Sequence, residues 1–151
     1  MFWGCFSGKY GKGPGIFWEK EWGTINKETY QEWIVPIIDG WIWLHSGQLL
    51  MQDNAPGHHA ASTLQELQER GIQVIFWPAY SPNLNPIETV WNWMKDYIEE
   101  NFPPKLSYDR LWAAVIEAWE QVTEEILNEL LAEMPAHCQA VIDADGMYTR
   151  Y

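Results

Sequence analysis

A chain of 151 residues that is 47% hydrophobic has the makings of one globular domain, which excludes a disordered or low-complexity protein. Its 9 Lys+Arg stand against 21 Asp+Glu, a net charge of -12. That balance excludes the basic face with which a domain grips nucleic acid unaided, so DNA is either held by other parts of a longer protein or is not the partner.

No apolar run approaches the ~20 residues of a membrane span. The opening Met1-Phe2-Trp3-Gly4-Cys5-Phe6-Ser7 is broken by glycine and has no basic start, so it does not read as a secretory signal. Cys5 and Cys138 lie far apart, neither in a CxxC pair, as two reduced thiols of an intracellular protein do. Eleven tryptophans are expected to pack in the core and at interfaces.

In chain order, the aromatic run from Phe2 to Ser7 predicts a strand. Gly8 to Gly15 predicts a turn, and Ile16 to Glu19 a second strand closing a hairpin. A chain opening inside a strand has the look of one cut from something longer. Asn26 can cap a helix whose apolar face is Tyr30, Trp33, Ile34, Ile37, Ile38 and Trp41, kinked at Pro36. Leu49 to Gln52 predicts a short buried strand. Residues 59 to 70 predict a helix with Ala60, Leu64 and Leu67 inward and Gly71 at its C′ position. Ile72 to Trp77 predicts another strand, ended by Pro78, and Tyr80 to Leu84 a loop.

Asn85 as cap and Pro86 at the first position start the next helix, with Ile87, Trp91, Met94 and Ile98 inward. After Pro103-Pro104, one helix from Ser107 turns Leu111, Val115, Ala118 and Val122 inward. A last helix from Thr123 turns in Ile126, Leu127, Leu130, Leu131 and Met134. The order β-β-α-β-α-β-α-α-α predicts an α/β fold, a sheet flanked by helices, with no domain boundary.

Two carboxylates stand out. Asp53 ends the apolar run Leu49-Leu50-Met51-Gln52 and precedes the breaker-rich Asn54-Ala55-Pro56-Gly57-His58. Glu88 follows Ser81-Pro82-Asn83-Leu84-Asn85-Pro86-Ile87, in the first turn of a helix. A carboxylate at a strand's C-terminal end and one in a helix's first turn can converge on a divalent cation, the arrangement of phosphoryl-transfer sites. Each has a plainer role. Asp before Asn-Ala-Pro-Gly is a turn former. Glu88, three residues past Asn85, occupies the capping-box position. Capping does not require two prolines and two asparagines in six residues, however, and such stiffness serves the accurate placement of a ligand. His58 and His59 are open to reading as metal ligands, but adjacent side chains point in different directions, and the plainer reading of His58 is a helix-start residue or one behind the ligands. Glu19 and Glu21 follow the hairpin without any mark of a ligand, and the acids of the C-terminal helices read as solvated faces.

Gln52-Asp53-Asn54-Ala55-Pro56-Gly57-His58 resembles the second-aspartate motif of the mariner-type (Tc/mariner superfamily) DDE transposases. Tyr80-Ser81-Pro82-Asn83-Leu84-Asn85-Pro86-Ile87-Glu88, with Trp91 and Lys95, resembles their third-carboxylate motif. The 34 residues from 54 to 87 between the two acids match one large branch of that family. Phe2-Trp3-Gly4-Cys5-Phe6-Ser7 is similar to the family's second strand. Met134-Pro135-Ala136-His137 and Ala144-Asp145-Gly146-Met147-Tyr148-Thr149 are similar to its C-terminus.

The resemblance implies a ribonuclease-H-like fold, a mixed sheet flanked by helices. It also implies Mg²⁺- or Mn²⁺-dependent chemistry. Water cuts a phosphodiester at a transposon end, and the freed 3′-hydroxyl attacks target DNA at a TA step. Asp53 and Glu88 would be the catalytic metal ligands, with Asn54, His58 and Asn85 positioning them from behind. The family's first catalytic aspartate lies on a strand ahead of Phe2-Trp3-Gly4, with a DNA-binding helix-turn-helix region further upstream. The expectation is a partial catalytic domain over residues 1–151 without either, which accounts for the charge and leaves it weak in DNA binding and inactive alone. A homodimer, no membrane association, and a nuclear location in a eukaryote (cytoplasmic otherwise) complete that expectation. The competing readings are a non-catalytic protein-interaction module that uses its Trp-rich surfaces, and a related metal-dependent nuclease.

Overall fold

In a computed structural model, the described residues are 1–78, 81–147 and 149. Tyr80 and Tyr148, each part of a sequence run singled out above, lie outside them. Among the described residues two strands and seven α-helices occur. They gather into two compact units, Met1–Gly4 with Gly13–Ser81, and Cys5–Lys12 with Pro82–Tyr151.

Strand β1 (Phe2–Ser7) pairs with β2 (Gly11–Phe17) in a hairpin whose open end belongs to the first unit and whose tip belongs to the second. The second strand starts five residues earlier than Ile16 and stops at Phe17 rather than Glu19. The turn is tighter than expected because Ser7 Oγ accepts from the N–H groups of Lys9 (3.1 Å) and Tyr10 (3.3 Å). Gly11 then takes a φ of 69° that returns the chain to the ladder. In a two-stranded sheet every strand is an edge, so Pro14 is tolerated inside β2.

In the first unit, α1 (Lys27–Trp33) and α2 (Val35–Leu44) replace the single kinked helix expected there. Asn26 caps α1 as expected, in a capping box with Thr29. Pro36 carries no N–H and its ring clashes with the preceding turn, so the two helices are divided at Ile34, whose backbone stays helical and whose N–H still reaches Tyr30 O at 2.9 Å. The helix expected over residues 59–70 is α4 (Ala61–Glu69), preceded by a separate single turn, α3 (Pro56–His59), from which the extended Ala60 divides it. Thr63 is fully buried and donates its hydroxyl to Gly57 O at 2.7 Å, satisfying a carbonyl that the break leaves open.

Helix α4 ends as its glycine foretold. Ile72 N–H reaches Leu67 O (2.9 Å) and Gly71 N–H reaches Gln68 O (2.9 Å), with Gly71 at a φ of 73°. Leu67 and Ile72 both enter the core formed by Tyr30, Ile34, Val35 and Ile38. Trp3, Ile16, Trp18, Ile42, Leu50 and Val74 pack around it.

The two central strands expected over 49–52 and 72–77 shrink to one parallel bridge, Leu50↔Val74. Leu50 N–H donates to Gln73 O and Ile75 N–H to Leu50 O, both at 2.8 Å. Beyond that point the ladder passes to a side chain, as Asn54 Nδ2 donates to Trp77 O at 2.7 Å. The expected mixed sheet is therefore one hairpin and one bridge among the described residues.

In the second unit, α5 (Pro86–Asn101), α6 (Tyr108–Gln121) and α7 (Glu124–Asp143) bury Leu84, Val90, Met94, Ala114, Ala118, Trp119, Val122 and Leu127. Helix α6 lies on Ala114 and Ala118, and Leu111, expected inward, is exposed. The two alanines permit a closer helix approach than leucine would, which turns the buried face toward them. Lys12, at the hairpin tip, donates to Trp119 O (2.7 Å) and Glu120 O (3.0 Å), so a cation closes the C-terminus of α6. Tryptophans do not all serve the core. Trp119 is buried, while Trp43 at the end of α2 is 80% exposed.

Two glycines provide a test of opposite sign, since a Cβ at either Gly71 or Gly40 would meet nothing within 4 Å. Gly71→Ala should destabilise by roughly 1–2 kcal/mol, because only its left-handed backbone resists a side chain. Gly40→Ala, inside α2, should stabilise by roughly 0.5–1 kcal/mol. Urea midpoints at constant slope measure both.

Burial pushes the Cys5 thiol up from its ordinary 9.0 to about 12. Between those pH values the unfolded chain has already released this proton and the folded chain has not, so stability should fall as pH rises. Cys5→Ala should flatten that part of the denaturation profile, and Cys5 should resist thiol labelling at pH 8 until the chain unfolds.

Candidate metal centre

Asp53 stands where the Leu50 bridge has ended and α3 has not begun, and its side chain is 53% exposed. Its Oδ1 accepts from Ala55 N–H at 3.1 Å, which is the turn role expected of an Asp here. The same Oδ1 accepts from His58 Nδ1–H at 2.5 Å. A carboxylate can only accept, so the contact puts a proton on Nδ1. Both contacts use one oxygen. Among the described residues nothing engages Oδ2.

His58 is brought back to Asp53 by the single turn of α3, in which Ala55 O accepts from both His58 and His59 N–H (2.9 and 3.0 Å). Pro56 begins that turn, where a missing N–H costs nothing. Behind the imidazole lies Tyr30 of α1, with ring centroids 4.4 Å apart. The Tyr30 hydroxyl donates to Gln52 Oε1 at 2.8 Å, and Gln52 Nε2 donates to His58 O at 3.4 Å. Asn54 faces the other way, onto Trp77 O, and ties down the chain rather than the carboxylate. Of the residues expected at the site, Asp53, Asn54 and His58 therefore share one loop, and His58 touches the acid directly.

Asn85 and Glu88 belong to the second unit. Asn85 occupies the N-cap position of α5 as expected, but its side chain makes no capping bond. It is buried instead, and the capping box with Glu88 does not form. The start of α5 is closed through the backbone, by Glu88 N–H to Asn85 O at 3.0 Å, with Pro86 buried at its first turn. The half-buried Glu88 carboxylate has no hydrogen bond or ion pair to a described residue. Asp39, on α2, is occupied by Arg70 at 2.9 Å.

The model of the DDE superfamily endonucleases matches residues 9–107. The chain belongs to that family. It is 29% identical to the transposable element Tcb1 transposase of Caenorhabditis briggsae over 153 residues, covering 100% of this chain and 54% of that protein. To the Tc1 transposase of Caenorhabditis elegans it is 28% identical over 155 residues, with the same coverage. The chain thus spans about half the length of the curated relatives it matches.

Among solved structures it is similar to the catalytic domain of Mos1 mariner transposase, with a TM-score of 0.70 and 21% identity over 84% of this chain and 65% of that one. It is also similar to the Mos1 strand transfer complex, with a TM-score of 0.75 and 18% identity over 92% of this chain and 41% of that one. The chain thus has the fold of that catalytic domain, the ribonuclease-H-like fold expected of it, and its similarity to Tc-type transposases runs along its whole length.

The Mos1 catalytic domain has been solved with Mn and with Mg, consistent with divalent-metal use in the family. The donor chemistry here fits such ions, which take hard carboxylate oxygens. Among the described residues, Asp53 has one oxygen uncommitted and the Glu88 carboxylate meets no hydrogen-bond or ion-pair partner. No group of three or more His, Cys, Asp or Glu gathers among the described residues. Tyr30 and Gln52 were not singled out from the sequence as part of the site. The available signal was the one hydroxyl on the apolar face of α1, a tip that must find a partner once buried.

The cap can be tested apart from the chemistry. At high ionic strength, where the helix dipole is screened, Glu88→Ala should change stability by no more than about 0.5 kcal/mol. A loss of about 1 kcal/mol or more in the urea midpoint would show that the capping box forms in solution.

Proposed function

We propose that this chain is the metal-binding catalytic portion of a transposase that cuts DNA at transposon ends and joins the freed ends to a TA target. Asp53 and Glu88 are its metal ligands, and Mg²⁺, or Mn²⁺ in its place, is the cation. The observation that carries the reading is the state of the two acids. Glu88 sits at a helix start in a capping position without capping, and Asp53 is held through one oxygen with the other open. Membership of the DDE family and the match to transposases along the whole chain support it.

A bound divalent cation supplies Lewis-acid activation of the attacking oxygen and stabilises the leaving one. The protein's own part is placement. His58 and Ala55 N–H hold Asp53 Oδ1, leaving Oδ2 for a ligand. The DNA partner, a homodimer and a nuclear site of action belong to the same proposal. An acidic chain of this size relies on other segments for most of its DNA contacts. No helix among the described residues is long and apolar enough to cross a membrane.

A protein-interaction role has one observation in its favour, the exposure of Trp43, Leu44 and Phe76 in the first unit. Metal binding separates the two readings. Mn²⁺ titrated into the 151-residue chain should bind, and Asp53→Asn and Glu88→Gln should each weaken it about 10-fold or more, because hard-cation affinity follows ligand charge. Asn at position 53 can still accept from Ala55 N–H, so folding is kept. Equal Mn²⁺ affinity in all three chains, or none in any, would remove the metal role and leave the surface reading.

A further inference from the structure

We propose that Tyr30 is a positioning residue for the Asp53 carboxylate, acting through Gln52 and His58. The proposal rests on Asp53 being a ligand, and goes beyond it by assigning a role to a residue of the opposite end of the loop's packing, on α1. Tyr30 is 2% exposed, a member of the core cluster, and its hydroxyl meets a side chain of the Asp53 segment. It donates to Gln52 Oε1, the side chain immediately before the catalytic acid. The amide is thereby turned so that its Nε2 donates to His58 O. The Tyr30 ring meanwhile lies against the His58 imidazole, tilted 49° to it. His58 is thus held at its carbonyl and at its ring face, and its ring donates through Nδ1–H to Asp53 Oδ1.

The chemistry explains why a tyrosine is used. Phenylalanine would fill the core and support the ring contact equally well. It could not fix the orientation of Gln52, whose oxygen and nitrogen ends would then exchange freely. A glutamine with its ends reversed presents an acceptor to the His58 carbonyl, and the loop loses that restraint. The backbone offers no substitute, since the ladder of this segment stops at Leu50. Groups behind a ligand govern its aim in this way in metal sites generally, at a cost of about 10-fold or more in metal affinity when removed.

The test uses the 151-residue chain, with Tyr30→Phe and, as a second variant outside the core, Gln52→Met. The first readout is the His58 imidazole cross-peaks in a proton–carbon NMR spectrum without metal. Both variants should shift them, and the shift in the double variant should equal that of either alone. A structural role for Tyr30 would lower the denaturation midpoint and shift those cross-peaks through the ring contact alone, so that the shifts of the two substitutions add in the double variant, which would overturn the proposal. So would a shift in Tyr30→Phe with none in Gln52→Met. The second readout is Mn²⁺, which should broaden the His58 signals of the unsubstituted chain, with the midpoint of broadening moved about 10-fold higher in either variant. If Mn²⁺ fails to broaden His58 in the unsubstituted chain, the ligand role of Asp53 fails. The metal-free shifts still decide whether Tyr30 positions the Asp53–His58 pair.

Discussion

The backbone holds the Asp53 segment at a single residue. Leu50 exchanges its two hydrogen bonds with Gln73 and Ile75, and no further rung follows. A peptide segment leaving a ladder must satisfy its polar groups elsewhere or expose them. Here side chains take over: Asn54 on Trp77 O, Gln52 between Tyr30 and His58, and Asp53 on Ala55 N–H. The loop that carries the acid is shaped by these bonds and by the one turn of α3 that returns His58 to it.

That dependence explains the local breaks. The extended Ala60 divides α3 from α4, so that α3 can face the loop while α4 packs Thr63 and Leu67 into the core. A continuous helix would carry His58 along the axis of α4 and away from Asp53. In the same unit, α1 turns in Tyr30 and α2 turns in Val35 and Ile38, and all three enter one core cluster. The second unit solves a simpler problem, closing three helices over small and aliphatic residues. Its acid, Glu88, comes from a helix start that the backbone and Pro86 already complete without it.

Much of this was legible in the residues. Gly71 announced the end of α4 because only a left-handed residue permits that pair of terminal hydrogen bonds. Asn26 and Pro86 marked helix starts by chemistry that depends on a few neighbours. Asp53 and Glu88 stood out by their surroundings, and both lie within residues 9–107, which the family model matches. Periodicity did less well where two faces compete. Leu111 fits the helical stripe of α6, but the contact is made by Ala114 and Ala118, whose size decides how close a neighbouring helix comes. The apolar runs at 49–52 and 72–77 read as strands because they are buried-type sequence. Strand pairing depends on which backbone lies alongside, and that is a long-range property.

By itself, then, the sequence determined the α/β class, the helix starts at Asn26 and Pro86, the stop at Gly71 and an acidic net charge. These follow from local backbone chemistry, composition and short motifs. Only the tertiary structure decided that Asn85 is buried instead of capping, that the Glu88 carboxylate meets no partner among the described residues, and that the Tyr30 hydroxyl belongs to the Asp53 loop. Each depends on residues distant in sequence or on the accessibility of one atom. A helix face read from the chain says that Tyr30 is inside, and only packing says which polar group its hydroxyl meets.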